Sequence, residues 1–198
     1  MNVIDHYDKL IIENNDPFRD PPELQDYMEK WDGQVFVDSM QIDKTKRVLE
    51  IGVGTGRLAR KVAPYCLSFV GIDISPKTIE RAKENLRGFI NTTLICADYS
   101  QYEFEQDFDV IYSSLTLMHF RDKMSFISKT NSLLKHGGVF CLSIDKCQDD
   151  YLDMGDYKIR VFPDTPEHIL SLIKTTQLCV EKTIEKELAH IFICKKVS

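Results

Sequence analysis

The chain has 198 residues, of which 43% are hydrophobic and 28% are charged, and its formal net charge at pH 7 is −6. These proportions are typical of one globular, soluble domain with a sizeable core, and they exclude a disordered or fibrous chain. The acidic balance argues against stable nucleic-acid binding, which needs clustered positive charge, and against an anionic membrane surface as a partner. No apolar run reaches the roughly 20 residues that a membrane span needs, and the N-terminus lacks the pattern of a signal peptide. We therefore expect a cytoplasmic protein.

The first 40 residues are predicted to be helical in two stretches, 2–13 and 22–40, which prolines separate. Apolar residues recur at roughly helical spacing from Leu24 to Phe36 and give the second stretch an amphipathic face. We therefore divide the chain into an N-terminal helical extension, 1–40, and an α/β domain, 41–198. The extension is either a lid over a ligand cleft or a cover for the core, and the sequence leaves both open.

From residue 46, apolar runs typical of strands alternate with helical patterns. The predicted strands are 47–52, 68–74, 92–98, 108–114 and 138–145, and the predicted helices are 57–65, 76–86, 121–135 and 166–177. Strands that are apolar on both faces belong in a parallel sheet with helices on both sides. The runs 178–188 and 189–197 are close enough to pair as a hairpin. The predicted fold is α/β, a Rossmann-like, mostly parallel sheet of seven strands with an antiparallel C-terminal hairpin.

The six cysteines form no CxxC pair, and several lie in the strand-like runs. We expect small buried thiols in a reducing compartment rather than disulfides or metal ligands. The histidines show no spacing typical of metal ligands, so no metal site is predicted.

The most informative motif is VLEIGVGTGRLA at 48–59, where a predicted strand runs into three alternate glycines and then a helix. Glycines allow a sharp turn and close approach of a ligand to the backbone, and the helix N-terminus offers free N–H groups to a negative ligand group. This loop alone is compatible with NAD, FAD or another adenosine-bearing ligand.

Three details narrow the choice of ligand. The spacing is GxGxG, and Arg57 stands where the dinucleotide fingerprint has its third glycine. Glu50 would repel a pyrophosphate and attract a cationic amine or sulfonium. Asp73 ends the second predicted strand, where a carboxylate can accept both hydroxyls of a ribose, and Asp98 ends the third, where an adenine edge would then lie.

The segments VLEIGVGTG, GIDIS, CADYS, FDVIYSSLTLMHF and LLKHGGVFCLSID resemble successive motifs of the class I S-adenosylmethionine-dependent methyltransferases. The resemblance covers about residues 45–145, and the last two predicted strands match the C-terminal hairpin of that fold. One departure is His136, which replaces the usual proline before the fifth strand and affects turn stiffness more than chemistry.

The resemblance implies a site for S-adenosylmethionine. The residues expected to contact this cofactor are Glu50, Gly52, Gly54, Thr55, Gly56, Arg57, Asp73, Ile74, Asp98, Tyr99, Ser113, Ser114 and Leu115. The glycine loop would hold the methionine part, Asp73 the ribose and Asp98 the adenine, and the end of the fourth strand would flank the sulfonium. His119 is a candidate catalytic residue, either as a base or in positioning the acceptor, although a packing role is equally compatible with its position.

The resemblance also narrows the methyl acceptor. The segment SSLTLM after the fourth strand is not NPPY-like, which disfavours amino-methylation of nucleic-acid bases, and no Pro-Cys nucleophile or Lys–Glu tetrad is apparent. A small metabolite is therefore the predicted acceptor, ahead of protein or RNA, with the extension and residues 146–165 as its cover. The alternatives are a non-catalytic S-adenosylmethionine-binding protein or regulatory subunit and, further behind, a nucleotide-dependent oxidoreductase. The acceptor atom and the oligomeric state stay open.

Overall fold

A computed structural model describes residues 1–197, and Ser198, the last residue of the predicted domain, lies outside the described part. The strands of this part are β1 (Arg47–Ile51), β2 (Ser68–Asp73), β3 (Thr92–Cys96), β4 (Phe108–Ser114), β5 (Leu134–Asp145), β6 (Tyr151–Asp153), β7 (Lys158–Arg160), β8 (Leu178–Glu185) and β9 (Ala189–Lys196). Its α-helices are α1 (Val3–Ile12), α2 (Pro22–Met28), α3 (Gly33–Ser39), α4 (Ala59–Val62), α5 (Pro76–Asn85), α6 (Lys123–Leu133) and α7 (Pro166–Ile173).

The central sheet has seven strands in the order β3-β2-β1-β4-β5-β9-β8. The five strands from β3 to β5 are mutually parallel, whereas β9 is antiparallel to both β5 and β8. This confirms the predicted Rossmann-like, mostly parallel sheet with an antiparallel C-terminal hairpin. Because the order reverses direction at β1 and β4, the carboxyl ends of these strands border a crevice, which is where open α/β sheets bind ligands.

Helices cover the sheet on both faces, as predicted. Neighbouring residues of β1 point to opposite faces, and both Val48 and Leu49 are fully buried. Leu49 belongs to the apolar cluster that includes Phe126 of α6 and Ile169 of α7. Val48 belongs to the second cluster, which is formed with residues of α3, α4 and α5. Burial on both faces explains why these strands are continuously apolar.

The predicted helix at 22–40 is wrong as a single element, because α2 ends at Met28 and α3 begins at Gly33. Gly33 has a φ of +72°, and a Cβ there would lie 3.0 Å from Glu29 Oε2. Asp32 precedes it in a non-helical conformation and is fully buried. The chain therefore turns at an Asp-Gly pair and continues as a second helix.

Other differences are local. The predicted helix at 57–65 is the short α4 followed by one 3-10 turn, Ala63–Tyr65, and the β6–β7 hairpin in the 146–165 segment was not predicted. All six cysteines are free. The expectation that they are buried holds for Cys66, Cys141 and Cys194 but is wrong for Cys96, Cys147 and Cys179, which are exposed.

The N-terminal extension serves two structural purposes. Phe36 of α3 and Met40 are fully buried in the same cluster as Val48, and the Phe36 ring lies edge-on to the Tyr112 ring with centroids 6.1 Å apart. By contrast, α1 packs on α5 and contributes Val3 to the wall of a cavity. Residues 33–40 therefore cover the core, and the earlier part of the extension reaches the cavity.

We expect Phe36→Ala to destabilise the protein by about 3–5 kcal/mol, because it removes a fully buried aromatic ring and leaves a cavity. Urea unfolding followed by circular dichroism measures the change. Ile90→Ala is the control, since Ile90 is fully exposed and its truncation should change the free energy of unfolding by less than about 0.5 kcal/mol. Equal stability of the two variants would contradict a core role for α3.

Candidate active site

A cavity of about 720 Å³ lies at the carboxyl edge of the sheet. The glycine loop after β1, the ends of β2, β3 and β4, and parts of α1 and α6 form its wall. The predicted site residues in this wall are Glu50, Gly52, Gly54, Thr55, Arg57, Asp73, Ile74, Asp98, Tyr99, Ser114, Leu115 and His119.

Two predicted residues do not line the cavity. A Cβ on Gly56 would lie 3.0 Å from the Leu86 side chain, so this glycine allows the loop to pack on α5 rather than on a ligand. Ser113 is fully buried, and its hydroxyl donates a hydrogen bond to the Ile51 carbonyl (3.0 Å), so it braces β4 against β1.

Hydrogen bonds to β2 hold the glycine loop over the sheet. The amides of Gly52 and Val53 both donate to the Ile72 carbonyl, at 2.9 and 3.1 Å. Gly52 has a φ of +77°, and a Cβ there would come within 2.0 Å of Thr116 Oγ1. A Cβ on Gly54, at a φ of +55°, would meet no atom within 4 Å. The loop is thus tightly packed on one side and open to a ligand at Gly54.

Carboxylates follow two neighbouring strands. Asp73 accepts hydrogen bonds from the Gly54 and Ser75 amides, each 3.0 Å long. Burial raises the pKa of Asp73, and these backbone donors act in the opposite direction. Asp98 is exposed and accepts from the Ser100 amide (2.8 Å). Both carboxylates keep free lone pairs for a polar ligand.

Tyr99 and Leu115 line the cavity for different reasons. Tyr99 is 3% exposed, and its hydroxyl forms a hydrogen bond of 2.9 Å with the Thr130 hydroxyl of α6. It therefore belongs mainly to the core. Leu115 has a φ of +55°, a conformation that is costly for a branched residue and that persists only where the surroundings impose it.

Glu50 is a buried acid behind the loop. The Tyr112 hydroxyl donates to its Oε2 (2.8 Å). Burial raises the pKa of Glu50 to about 8, which the Tyr112 hydrogen bond and the Arg57 charge oppose and the carboxylates of Asp32 and Asp73 support. In the free protein at pH 7 this side chain is therefore mostly protonated.

Arg57 contacts a residue that the sequence analysis did not select. Its guanidinium donates to both carboxylate oxygens of Asp32, at 3.1 and 2.5 Å, and the Ser114 hydroxyl donates to Asp32 Oδ2 (2.8 Å). The predicted helix at 22–40 ran through Asp32, and no local pattern indicated where its carboxylate would lie.

The α1 helix brings Tyr7 to His119. The Tyr7 hydroxyl and His119 Nε2 are joined by a hydrogen bond of 2.8 Å, while His119 Nδ1 is buried and has no hydrogen-bond partner within residues 1–197. Burial, and then the charges of His6 and Lys123, lower the pKa of His119 to about 4. His119 is therefore neutral at physiological pH and has one ring nitrogen free.

Over 1–197, no group of three or more His, Cys, Asp or Glu side chains is placed to hold a metal ion. None of the helices in that range is both long enough and apolar enough to cross a membrane.

A family model for a methyltransferase domain matches residues 42–191, which is more than half of the chain. The chain belongs to the class I S-adenosylmethionine-dependent methyltransferases. Malonyl-(acyl-carrier protein) O-methyltransferase 1 of Ilyobacter polytropus is 33% identical to it over 112 residues, which are 56% of this chain and 41% of that protein. Phosphoethanolamine N-methyltransferase 3 of Arabidopsis thaliana is 30% identical over 129 residues, covering 64% of this chain and 26% of that protein.

The chain thus spans less than half the length of these two relatives. Among solved structures, the N-methyltransferase NodS of Bradyrhizobium japonicum WM9, in complex with S-adenosyl-L-homocysteine, superposes with a TM-score of 0.70 at 16% identity and covers 91% of both chains. At this identity the likeness supports the fold alone.

We expect Glu50→Gln to stabilise the ligand-free protein at pH 8. The pKa of Glu50 is raised on folding from 4.5 to about 8. Between these pH values Glu50 is ionised in the unfolded chain but protonated in the folded one, so the wild type loses stability as the pH rises through this range. An uncharged Gln avoids this loss and still accepts from Tyr112. Urea unfolding should show the variant more stable than the wild type at pH 8, on the order of 4 kcal/mol, and nearly equal to it at pH 4.5.

The matched control is Glu80→Gln on the exposed side of α5, which should change stability little at either pH. A Glu50→Gln variant that is no more stable than the wild type at pH 8 would show that Glu50 is ionised in the free protein.

Proposed function

We propose that this chain transfers a methyl group from S-adenosylmethionine to a small-molecule acceptor. The observation that carries the proposal is the convergence of an open glycine loop at Gly54 with Glu50 and Asp73 in one cavity. A pyrophosphate would lie against the Asp73 carboxylate, whereas ribose hydroxyls donate to it, and a bound amine or sulfonium favours the ionised form of Glu50.

The residues of the cavity fit the groups of this cofactor in sequence order. Gly54 leaves its backbone open to the methionine part, and Arg57 supplies a cation for the carboxylate. Asp73 and Asp98, at neighbouring strand ends, supply acceptors for the ribose hydroxyls and the adenine amino group. When bound, S-adenosylmethionine supplies an electrophilic methyl group on a sulfonium.

The chain's own task is to position the acceptor and to exclude water. Met118, Phe120 and Phe126 give the cavity wall apolar surface. His119, whose ring is fixed by the Tyr7 hydroxyl, lies in the cavity wall and orients an acceptor hydroxyl or amine there. With a pKa of about 4 it is a weak base, so orientation is its main contribution.

A small acceptor is supported by the enclosure of the site. The cavity has α1 along its wall, and α1 is in turn tied to the β6–β7 hairpin by a hydrogen bond between His6 and Tyr157 (3.0 Å). The names of the two relatives describe a malonyl group on a carrier protein and phosphoethanolamine, both of them small acceptor groups. The early part of the extension and the hairpin are the proposed cover of the acceptor.

The experiment that tests the function is incubation of the protein with S-adenosylmethionine and a panel of small amines, alcohols, thiols and carboxylic acids. Formation of S-adenosylhomocysteine above the rate without acceptor supports the proposal. Binding of the cofactor without turnover on any acceptor class would instead support a non-catalytic binding protein.

We expect Asp73→Ala to weaken S-adenosylhomocysteine binding about ten- to a hundredfold, since it removes hydrogen bonds to a charged acceptor worth roughly 1.5–3 kcal/mol. Isothermal titration calorimetry measures the affinity. Asp107→Ala, an exposed position before β4, is the control and should bind as the wild type does. Similar losses in both variants would place the ribose elsewhere.

We expect Tyr7→Phe to lower the transfer rate roughly tenfold, because His119 loses the hydrogen bond that fixes its ring. Cofactor affinity should change less than twofold, since only one hydroxyl is removed. Tyr27→Phe, at an exposed ring of α2, serves as the control. An unchanged transfer rate in Tyr7→Phe would mean that the Tyr7–His119 pair has only a packing role.

A further inference from the structure

The turn that joins α2 to α3 is inserted at the carboxyl edge of the sheet. The Trp31 indole N–H donates to Asp145 Oδ2 (2.7 Å) at the end of β5, and the Ser143 hydroxyl donates to the Trp31 carbonyl (2.8 Å). The next residue, Asp32, reaches the end of β4 and the glycine loop. This turn is therefore fixed to two strand ends and to Arg57 rather than lying loosely over the cleft.

Asp32 itself is a fully buried carboxylate. Such a group is stable only where charged or polar donors surround it. Both of its oxygens accept from Arg57, and it also accepts from the Ser114 hydroxyl (2.8 Å) and the Gly33 amide (2.6 Å). Every donor except Gly33 comes from the cavity edge, so the cost of burying this charge is offset by contacts that also order the cavity wall.

Arg57 is the residue that these contacts constrain. Its side chain is 12% exposed and lines the cavity beside the glycine loop. Burial lowers the pKa of this guanidinium, and the hydrogen bonds and charge of Asp32 raise it, so Asp32 attracts the guanidinium. Asp32 takes two of its five N–H donors and keeps the flexible side chain from turning to Glu50, which leaves the remaining donors for a ligand.

We propose that Asp32 is a positioning residue that fixes the Arg57 guanidinium for recognition of the cofactor's carboxylate. The N-terminal extension would thereby form part of the cofactor site and not only its cover. This inference rests on the proposed function, because it takes the carboxylate to be that of S-adenosylmethionine.

The test compares two ligands by isothermal titration calorimetry. S-adenosylhomocysteine carries the amino-acid group with its carboxylate and amine, whereas 5′-methylthioadenosine keeps the nucleoside and thioether but lacks both. In Asp32→Asn, which preserves the side-chain volume, S-adenosylhomocysteine affinity should fall at least tenfold and methylthioadenosine affinity should change less than twofold. A general loss of structure would lower the affinity for both ligands by the same factor, and that result would overturn the proposal.

Two further variants complete the test. Asp38→Asn, at an exposed position of α3, the helix that follows Asp32, should leave both affinities unchanged. Asp32→Glu retains the charge and should recover part of the lost S-adenosylhomocysteine affinity; a Glu variant as weak as Asn would contradict the positioning role. Unaltered S-adenosylhomocysteine binding in Asp32→Asn also overturns it.

Ligand binding by the wild-type protein shows whether the role of Asp32 or the proposed function has failed. If wild-type protein binds S-adenosylhomocysteine and the Asp32 variants show no ligand-specific loss, only the role of Asp32 fails. If the wild type binds neither ligand, the proposed function itself fails.

Discussion

The cavity depends on the arrangement of buried carboxyl groups around one guanidinium, that of Arg57. Asp32 and Glu50 both lie near Arg57 at the carboxyl edge of the sheet, and both are buried. One cation does not balance two ionised acids in a medium of low polarity. The free protein meets this imbalance in part by keeping Glu50 protonated, and a cationic ligand at the same place would favour its ionised form.

This arrangement connects stability with binding. A buried acid with a raised pKa lowers stability near neutral pH, so the rest of the molecule must offset it. The apolar clusters on both faces of the sheet supply that stability, and α3 extends one of them with Phe36 and Met40. The N-terminal extension is thus anchored in the core through α3 and bound to Arg57 through Asp32, while α1 places Tyr7 in the cavity wall.

Much of the fold could be predicted from the sequence because its signals are local. Strands buried on both faces are continuously apolar, and the glycine loop needs glycine at positions of positive φ such as Gly52. The Asp32–Arg57 and Tyr7–His119 pairs could not be predicted in this way, since they join residues 25 and 112 positions apart and no periodicity encodes them. The helix break at Gly33 was missed because the apolar spacing of α3 continues that of α2.

The central claim is that the carboxylates of this cavity select a sulfonium nucleoside over a dinucleotide. Isothermal titration of the wild-type protein at pH 7.5 with S-adenosylmethionine, S-adenosylhomocysteine and NAD tests it directly. We expect one molecule of S-adenosylmethionine or S-adenosylhomocysteine to bind per chain and NAD to give no measurable heat. NAD binding of comparable affinity would contradict the account.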